Sequence, residues 1–178
     1  MKLTINSPAP RIKTKDILGN DFDLETYKGQ KILVAFFRFS TCPFCNLRIH
    51  TLSTEYEKLG INIVAIFESS NENLRKHLAH YELPFPVLSD RAGVYYKSYG
   101  LNKSVIGVFK GMLTRPIEML RGMSKGKSLF HGIDGHLTRM PADFLIDENG
   151  MIRELMYARD EGEHMDVEII KRFVLDKK

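Results

Sequence analysis

Cysteine occurs only twice in this chain, so a disulfide-stapled scaffold is excluded. Half a structural zinc site would need two further ligands. There is no second Cys pair, and His50 alone does not complete a tetrahedron. No stretch approaches the roughly 18 consecutive apolar residues of a membrane span. The opening residues, MKLTINSPAPRIK, carry no apolar core of a signal peptide. With two cysteines and no disulfide framework, the expected compartment is the reducing cytoplasm. Repeats and low-complexity segments are lacking too. Neither sign of charge dominates: 26 Lys and Arg against 22 Asp and Glu leave +4, too little by itself to argue for nucleic acid.

What is present has an ordinary globular balance, 43% apolar and 27% charged. A length of 178 residues suits one domain with a proper core, expected over 1–178 with an insert at about 101–138.

The chain is organised around residues 31–59. Ile32, Leu33, Val34, Ala35, Phe36 and Phe37 form an apolar run too short for a helix and rich in β-branched and aromatic residues, which predicts a buried central strand. Leu47, Leu52, Tyr56 and Leu59 then recur at helical spacing, with Arg48, Glu55, Glu57 and Lys58 between them. Both cysteines, in Ser40-Thr41-Cys42-Pro43-Phe44-Cys45, fall where the strand hands over to the helix. Pro43 fits the first helical position, where its missing N–H is no loss. Cys42 is thereby placed at the N-cap and Cys45 one turn in. A Cys42 thiolate there would accept from free first-turn amides and sit at the positive end of the helix dipole. Such placements lower a thiol pKa from about 8.5 to roughly 3.5–7.5. Cys45 is spaced to attack a mixed disulfide on Cys42 and close a small ring. Two buried, inert thiols are the bland alternative.

Before this stretch, Gly19-Asn20 between Ile12 and Phe22 predicts a small hairpin, followed by one helical turn over 24–28. After it, Gly60 ends the helix and 61–67 is a second buried strand, parallel to the first. A helix is predicted over 69–81 with Leu74 and Leu78 inward, then a short strand near 84–88 and a helix over 92–99. In 101–138 apolar residues recur at helical spacing. Between 103 and 127, Lys103, Lys110, Arg115, Arg121, Lys125 and Lys127 are opposed only by Glu118. This insert is open to four readings: a partner-docking surface, a cover for the site, a face for an anionic membrane, or a packed helix. Residues 144–146 and 151–157 are strands joined through Asn149-Gly150, and a last helix runs over about 162–175. The six histidines, His50, His77, His80, His131, His136 and His164, show no metal spacing.

The order hairpin, β, α, β, α, short β, α, insert, β-hairpin, α is a thioredoxin-like α/β arrangement. It implies a central mixed sheet flanked by helices, with an N-terminal hairpin and a helical insert. The segments FFRFSTCPFC, PFPVLSDRAG and MPADFLIDENG, with Gly29-Gln30-Lys31, resemble the peroxiredoxin-like AhpC/TSA (redoxin) branch of the thioredoxin superfamily. The resemblance implies that Cys42 attacks and Cys45 resolves. It implies an antioxidant oxidoreductase that acts on peroxides or disulfides. No organic cofactor or metal is expected; an external dithiol such as a thioredoxin or glutathione system regenerates the pair. It also implies a cis-proline before the late hairpin, matched by Met140-Pro141.

Two features depart from the family pattern. Peroxiredoxins carry Thr or Ser three residues before the peroxidatic Cys, where this chain has Phe39 before Cys42 and Cys42 before Cys45. They carry an Arg near the start of the late strand, where Pro141 falls. Arg38, Thr41 and Arg139 are the candidate substitutes. Partners expected are a peroxide or disulfide and a reductant, with no nucleic acid and no membrane span; a homodimer is left open. The rival from another class is a redox-inert thioredoxin-fold module that binds through the basic insert.

Overall fold

The computed structural model describes residues 1–78, 81–101, 103–104, 116–117, 120–121 and 134–176. A two-stranded hairpin, β1 (Lys13–Lys15) and β2 (Asp21–Asp23), comes first, antiparallel with Thr14 opposite Phe22. Asp16 shapes its turn, its Oδ1 accepting from the amides of Leu18 and Asn20, both at 2.9 Å. A 3₁₀ turn, Leu24–Tyr27, follows, capped by Asp23. Then come β3 (Ile32–Phe36), α1 (Pro43–Leu59), β4 (Asn62–Phe67), α2 (Asn71–Leu78), β5 (Val87–Ser89), α3 (Val94–Ser98), β6 (Ala142–Ile146), β7 (Ile152–Tyr157) and α4 (Val167–Leu175).

The last five strands to enter this order form one mixed sheet, β5-β4-β3-β6-β7. β3 runs parallel to β4 and antiparallel to β6, so the strand leading to the cysteines lies at the sheet's centre. Its unbroken apolar run follows from burial on both faces. Leu33, Ala35 and Phe37 point into one core with α1, α2 and α4, packed on Ile49, Leu52, Leu74 and Ile170. Ile32, Val34 and Phe36 point into the other, against Ile12, Phe22, Tyr96 and Tyr99. Phe36 meets Tyr96, Tyr99 and Phe144 at ring-centroid distances of 5.1, 4.9 and 5.9 Å.

The sequence-based boundaries shift in places. The last helix starts at Val167, not near 162, because Asp166 caps it by accepting from the Glu168 amide at 2.9 Å. The chain just before it is drawn instead to Asp143 in β6, whose Oδ2 accepts from the Met165 amide at 2.7 Å. α3 is shorter than 92–99, and α2 begins at Asn71 rather than 69. Arg48, which lies between the apolar positions of the helical pattern, is buried. Of the insert's helical reading, residues 116–117 and 120–121 are helical; the rest, with Lys110, Arg115, Lys125 and Lys127, lies outside the described residues, as do His80 and His131. Among the described residues no helix is long and apolar enough to cross a membrane.

Candidate active site

β3 delivers the chain to the site. Beyond its end the Phe37 amide still donates to Ile66 O at 2.8 Å, so Arg38 emerges at the edge of the paired strands. Ser40 and Thr41 form a turn, closed by the Cys42 amide donating to Phe39 O at 3.0 Å. The Ser40 amide donates to Ser69 Oγ at 2.9 Å, tying the turn to the loop after β4. Cys42 then has extended backbone at the N-cap of α1 with Pro43 at the helix start, and the Asn46 amide donates to Cys42 O at 2.9 Å. Cys45 sits one turn in. Both thiols are fully buried, and they are not bonded to each other.

The capping role expected of Cys42 holds only in part: the Cys45 backbone amide favours its thiolate, but without the geometry of a capping bond. The Cys42 sulfur makes no capping hydrogen bond to the first turn. Arg38 reaches it instead: Nη1 donates to Cys42 Sγ at 3.5 Å, and the Arg38 amide donates to Cys45 Sγ at 3.4 Å. One residue therefore contacts both sulfurs. Burial pushes the Cys42 thiol up, but the Cys45 thiol's hydrogen bond and the Arg38 charge outweigh it and bring Cys42 down to about 6. Burial pushes Cys45 up, and its hydrogen bond and charge interaction with Cys42 push it further, well above an ordinary thiol. The two environments thus separate an ionised sulfur from a protonated one.

The guanidinium of Arg38 is itself held. Nη2 donates to Leu137 O, and the group lies over the Phe39 ring at 5.1 Å. Leu137 belongs to a strap, residues 134–139, anchored across the strand ends. Asp134 accepts from Ser69 Oγ at 2.5 Å and from the Ser70 amide at 2.7 Å. Glu68, buried, accepts from the His136 amide at 3.0 Å, faces His136 Nδ1 at 2.9 Å, and pairs with Arg139. Burial raises the Glu68 carboxyl, and Arg139 and the His136 amide more than offset it, so it stays below its usual range.

The other sequence candidates are dispersed around this centre. Thr41 is buried with its hydroxyl unpartnered. Arg139 is committed to Glu68 and lies 4.6 Å above the Tyr96 ring. Pro141 leads into β6, where its carbonyl accepts from the Ala158 amide at 3.1 Å. The expected cis bond before it is corrected: no peptide bond among the described residues is cis, and Pro141 enters the strand by the trans form that X–Pro bonds ordinarily favour. Of the described histidines, His50 and His77 are half-buried, His136 faces Glu68, and His164 faces Asp143.

Sequence reasoning missed Glu68, Tyr96 and Glu161. Glu68 carried a signal, a carboxylate directly after an apolar strand at the carboxyl end of a parallel pair, where α/β sites gather. Tyr96 donates to Phe37 O at 2.5 Å from another element, which no local pattern reveals. Glu161 is buried in the loop before α4 with Oε2 unpartnered. Burial raises its carboxyl, and its charge interacts with those of Arg38 and Cys42.

The AhpC/TSA family's sequence model matches residues 5–155, which include β3, the cysteine turn, β6 and most of β7. The chain belongs to the AhpC/TSA family. Among its relatives, a chloroplastic peroxiredoxin Q from Sedum lineare is 29% identical over 116 residues, covering 64% of this chain and 62% of that protein. The thiol-disulfide oxidoreductase ResA of Bacillus thuringiensis subsp. konkukian (strain 97-27) is 26% identical over 104 residues, covering 56% and 60%. The chain thus spans about three fifths of the length of these curated relatives. A thiol peroxidase structure from Chromobacterium violaceum superposes with a TM-score of 0.65 over 98% of this chain and 87% of that one, at 14% identity, a likeness of fold. The central mixed sheet flanked by helices is the thioredoxin-like arrangement expected from the order of elements.

Proposed function

We propose that this AhpC/TSA protein is a thiol-dependent oxidoreductase in which Cys42 is the nucleophile and Cys45 the resolving thiol. The observation that carries the reading is Arg38 contacting both sulfurs while their surroundings push the two thiols apart, Cys42 to about 6 and Cys45 well above the ordinary value. At neutral pH Cys42 is the thiolate, and Cys45 keeps its proton until its partner is consumed.

With a peroxide, Cys42 thiolate attacks one oxygen, the O–O bond breaks, and the alcohol or water leaves with a proton. Cys42 is left as the sulfenic acid. Cys45 attacks that sulfur, water leaves, and a Cys42–Cys45 disulfide forms. With a disulfide substrate, Cys42 forms a mixed disulfide and Cys45 displaces the released thiol. In both cases two external thiols restore the dithiol and leave as a disulfide. Arg38 takes the part of the polarising group, since Arg139 is held by Glu68 and Phe39 and Pro141 occupy the family's usual positions. The cytoplasm suits such a cycle because its reducing thiols regenerate the pair.

The test oxidises reduced protein with hydrogen peroxide and, separately, with a small disulfide, for wild type, Cys42→Ser and Cys45→Ser. Loss of both reactions in Cys42→Ser and a trapped mixed disulfide in Cys45→Ser are expected. Peroxide oxidation no faster than that of free cysteine would remove the peroxidase branch and leave disulfide exchange.

A further inference from the structure

Thiols that exchange protons while fully buried need a proton partner within the protein. Glu161, in the loop between β7 and α4, is a buried titratable group that the sulfur chemistry has not used. It is 1% exposed, and its Oε2 has no hydrogen-bond partner among the described residues. A charged oxygen in that position is costly, and a proton on the carboxyl removes the cost. The loop lies against the cysteine turn. Gly162, the next residue, shares the wall of a cavity of about 210 Å³ with Phe44, which stands between Pro43 and Cys45. The His164 ring centroid is 5.3 Å from that of Phe37, the residue before Arg38.

The cations of the surrounding elements are engaged by other carboxylates, Arg38 excepted. Arg48 and His164 face Asp143, Arg139 is held by Glu68, and Arg159 pairs with Glu163 within the loop. Asp160, the preceding acid, accepts from the Gly162 amide at 3.1 Å. Arg38 also keeps a buried donor, Nε, without an acceptor among the described residues. Burial raises the Glu161 carboxyl. Its own amide and the Arg38 charge lower it, and the charges of Cys42 and Asp160 raise it again. A Cys42 thiolate and a Glu161 carboxylate therefore compete for one guanidinium in a low-dielectric space, where like charges do not both ionise readily.

We propose that Glu161 is the proton reservoir of the cysteine pair. It holds a proton while Cys42 is a thiolate, gives it up as that thiolate is consumed, and regains one when the disulfide is reduced. The proposal rests on the thiol-exchange reading. With a disulfide substrate, Cys42 thiolate attacks, the substrate's S–S bond breaks, and the departing thiolate takes the Glu161 proton. Cys45 passes its proton to the Glu161 carboxylate and attacks Cys42, and the second departing thiolate takes that proton. With a peroxide, the alcohol and then water leave with the same two protons. The oxidised site holds a Cys42–Cys45 disulfide and a Glu161 carboxylate. Two external thiols then reduce it, leaving as a disulfide while one of their protons goes to Cys45 and the other to Glu161. The site carries one negative charge against Arg38 in both redox states.

The test counts protons, which a merely structural role would not change. Reducing the disulfide takes up two protons for two electrons when Cys45 and Glu161 are both protonated, and one when only Cys45 is. The pH slope of the midpoint potential, measured between pH 7 and pH 8 against a dithiol redox buffer, is therefore expected to halve in Glu161→Gln. Equal slopes in wild type and folded Glu161→Gln overturn the proposal. Infrared spectra of the wild type read the same proton without a substitution. On oxidation at pH 7 the carbonyl stretch of a protonated carboxyl is expected to give way to a carboxylate band. Its persistence in a protein whose cysteines do form the disulfide overturns the reservoir and leaves the thiol chemistry standing. A protein that forms no Cys42–Cys45 disulfide shows no midpoint at all, which overturns the thiol-exchange reading and the reservoir with it.

Discussion

Arg38 decides the chemistry of this site at the scale of single residues. Its guanidinium lies against Cys42 Sγ and its backbone amide against Cys45 Sγ, while its charge favours the thiolate at both. Arg38→Met removes the charge and keeps the amide. The pH midpoint for alkylation of Cys42 by iodoacetamide is expected to rise from about 6 by one unit or more, and Cys45, which loses the same charge, to rise further as well. The same lowering sets a pH dependence of stability. Cys42 ionises at about 6 when folded and near the ordinary thiol value of about 8.5 when unfolded. The folded state therefore binds fewer protons between these values, and stability rises with pH across that window. Its contribution is fully present above the unfolded value and lost as pH falls through the folded one. Above the window the raised Cys45 acts in the opposite sense, because the unfolded chain gives up that proton first. The melting temperature of the reduced protein should climb by several degrees from pH 6 to pH 8, and Cys42→Ser should flatten that climb.

At the scale of elements, α1 was legible from its sequence at both ends. Pro43 starts it, and Gly60 stops it with a left-handed φ of 59°. Gly60→Ala forces a side chain into that conformation and is expected to cost about 1 kcal/mol in denaturant unfolding, with the Cys42 alkylation midpoint unmoved. The strap over residues 134–139 was not legible, because its anchors are Glu68 and Ser69 on another element. Gly135 lets it lie close: a Cβ there would meet Glu68 O at 2.7 Å and the Phe39 Cβ at 3.0 Å. Gly135→Ala must lift the strap from the cysteine turn, so Cys42 should react faster with a bulky disulfide reagent at fixed pH. An unchanged rate in the folded variant would mean that the reagent reaches the sulfur by another path. The start of α4 was placed too early for a related reason. The periodicity of Met165, Ile169, Ile170 and Phe173 does not distinguish a helical Met165 from one whose amide is bound to Asp143.

At the scale of the whole molecule, a sheet buried on both faces holds the site rigid from beneath. Phe36 is fully buried at the end of β3 among Tyr96, Tyr99 and Phe144, and Tyr96 also donates to the carbonyl of Phe37. Phe36→Ala should cost about 3–5 kcal/mol by denaturant titration, through lost apolar burial and the cavity left behind. A smaller cost would mean that the aromatic cluster closes over the gap.

The local pattern of residues determined the strand-to-helix turn, the placement of both cysteines on it, and the order of elements that makes the sheet. Each of these depends on neighbours within one or two turns of chain, which periodicity and punctuation record. Only the tertiary structure decided which charge meets the sulfurs, that Pro141 enters its strand trans, and that Arg48 is buried beside Asp143 and not solvated. Those outcomes depend on groups from β3, β6, the strap and the loop before α4 converging in a low-dielectric space. There burial and pairing set the energy of a charge, and a one-dimensional pattern carries no record of such convergence.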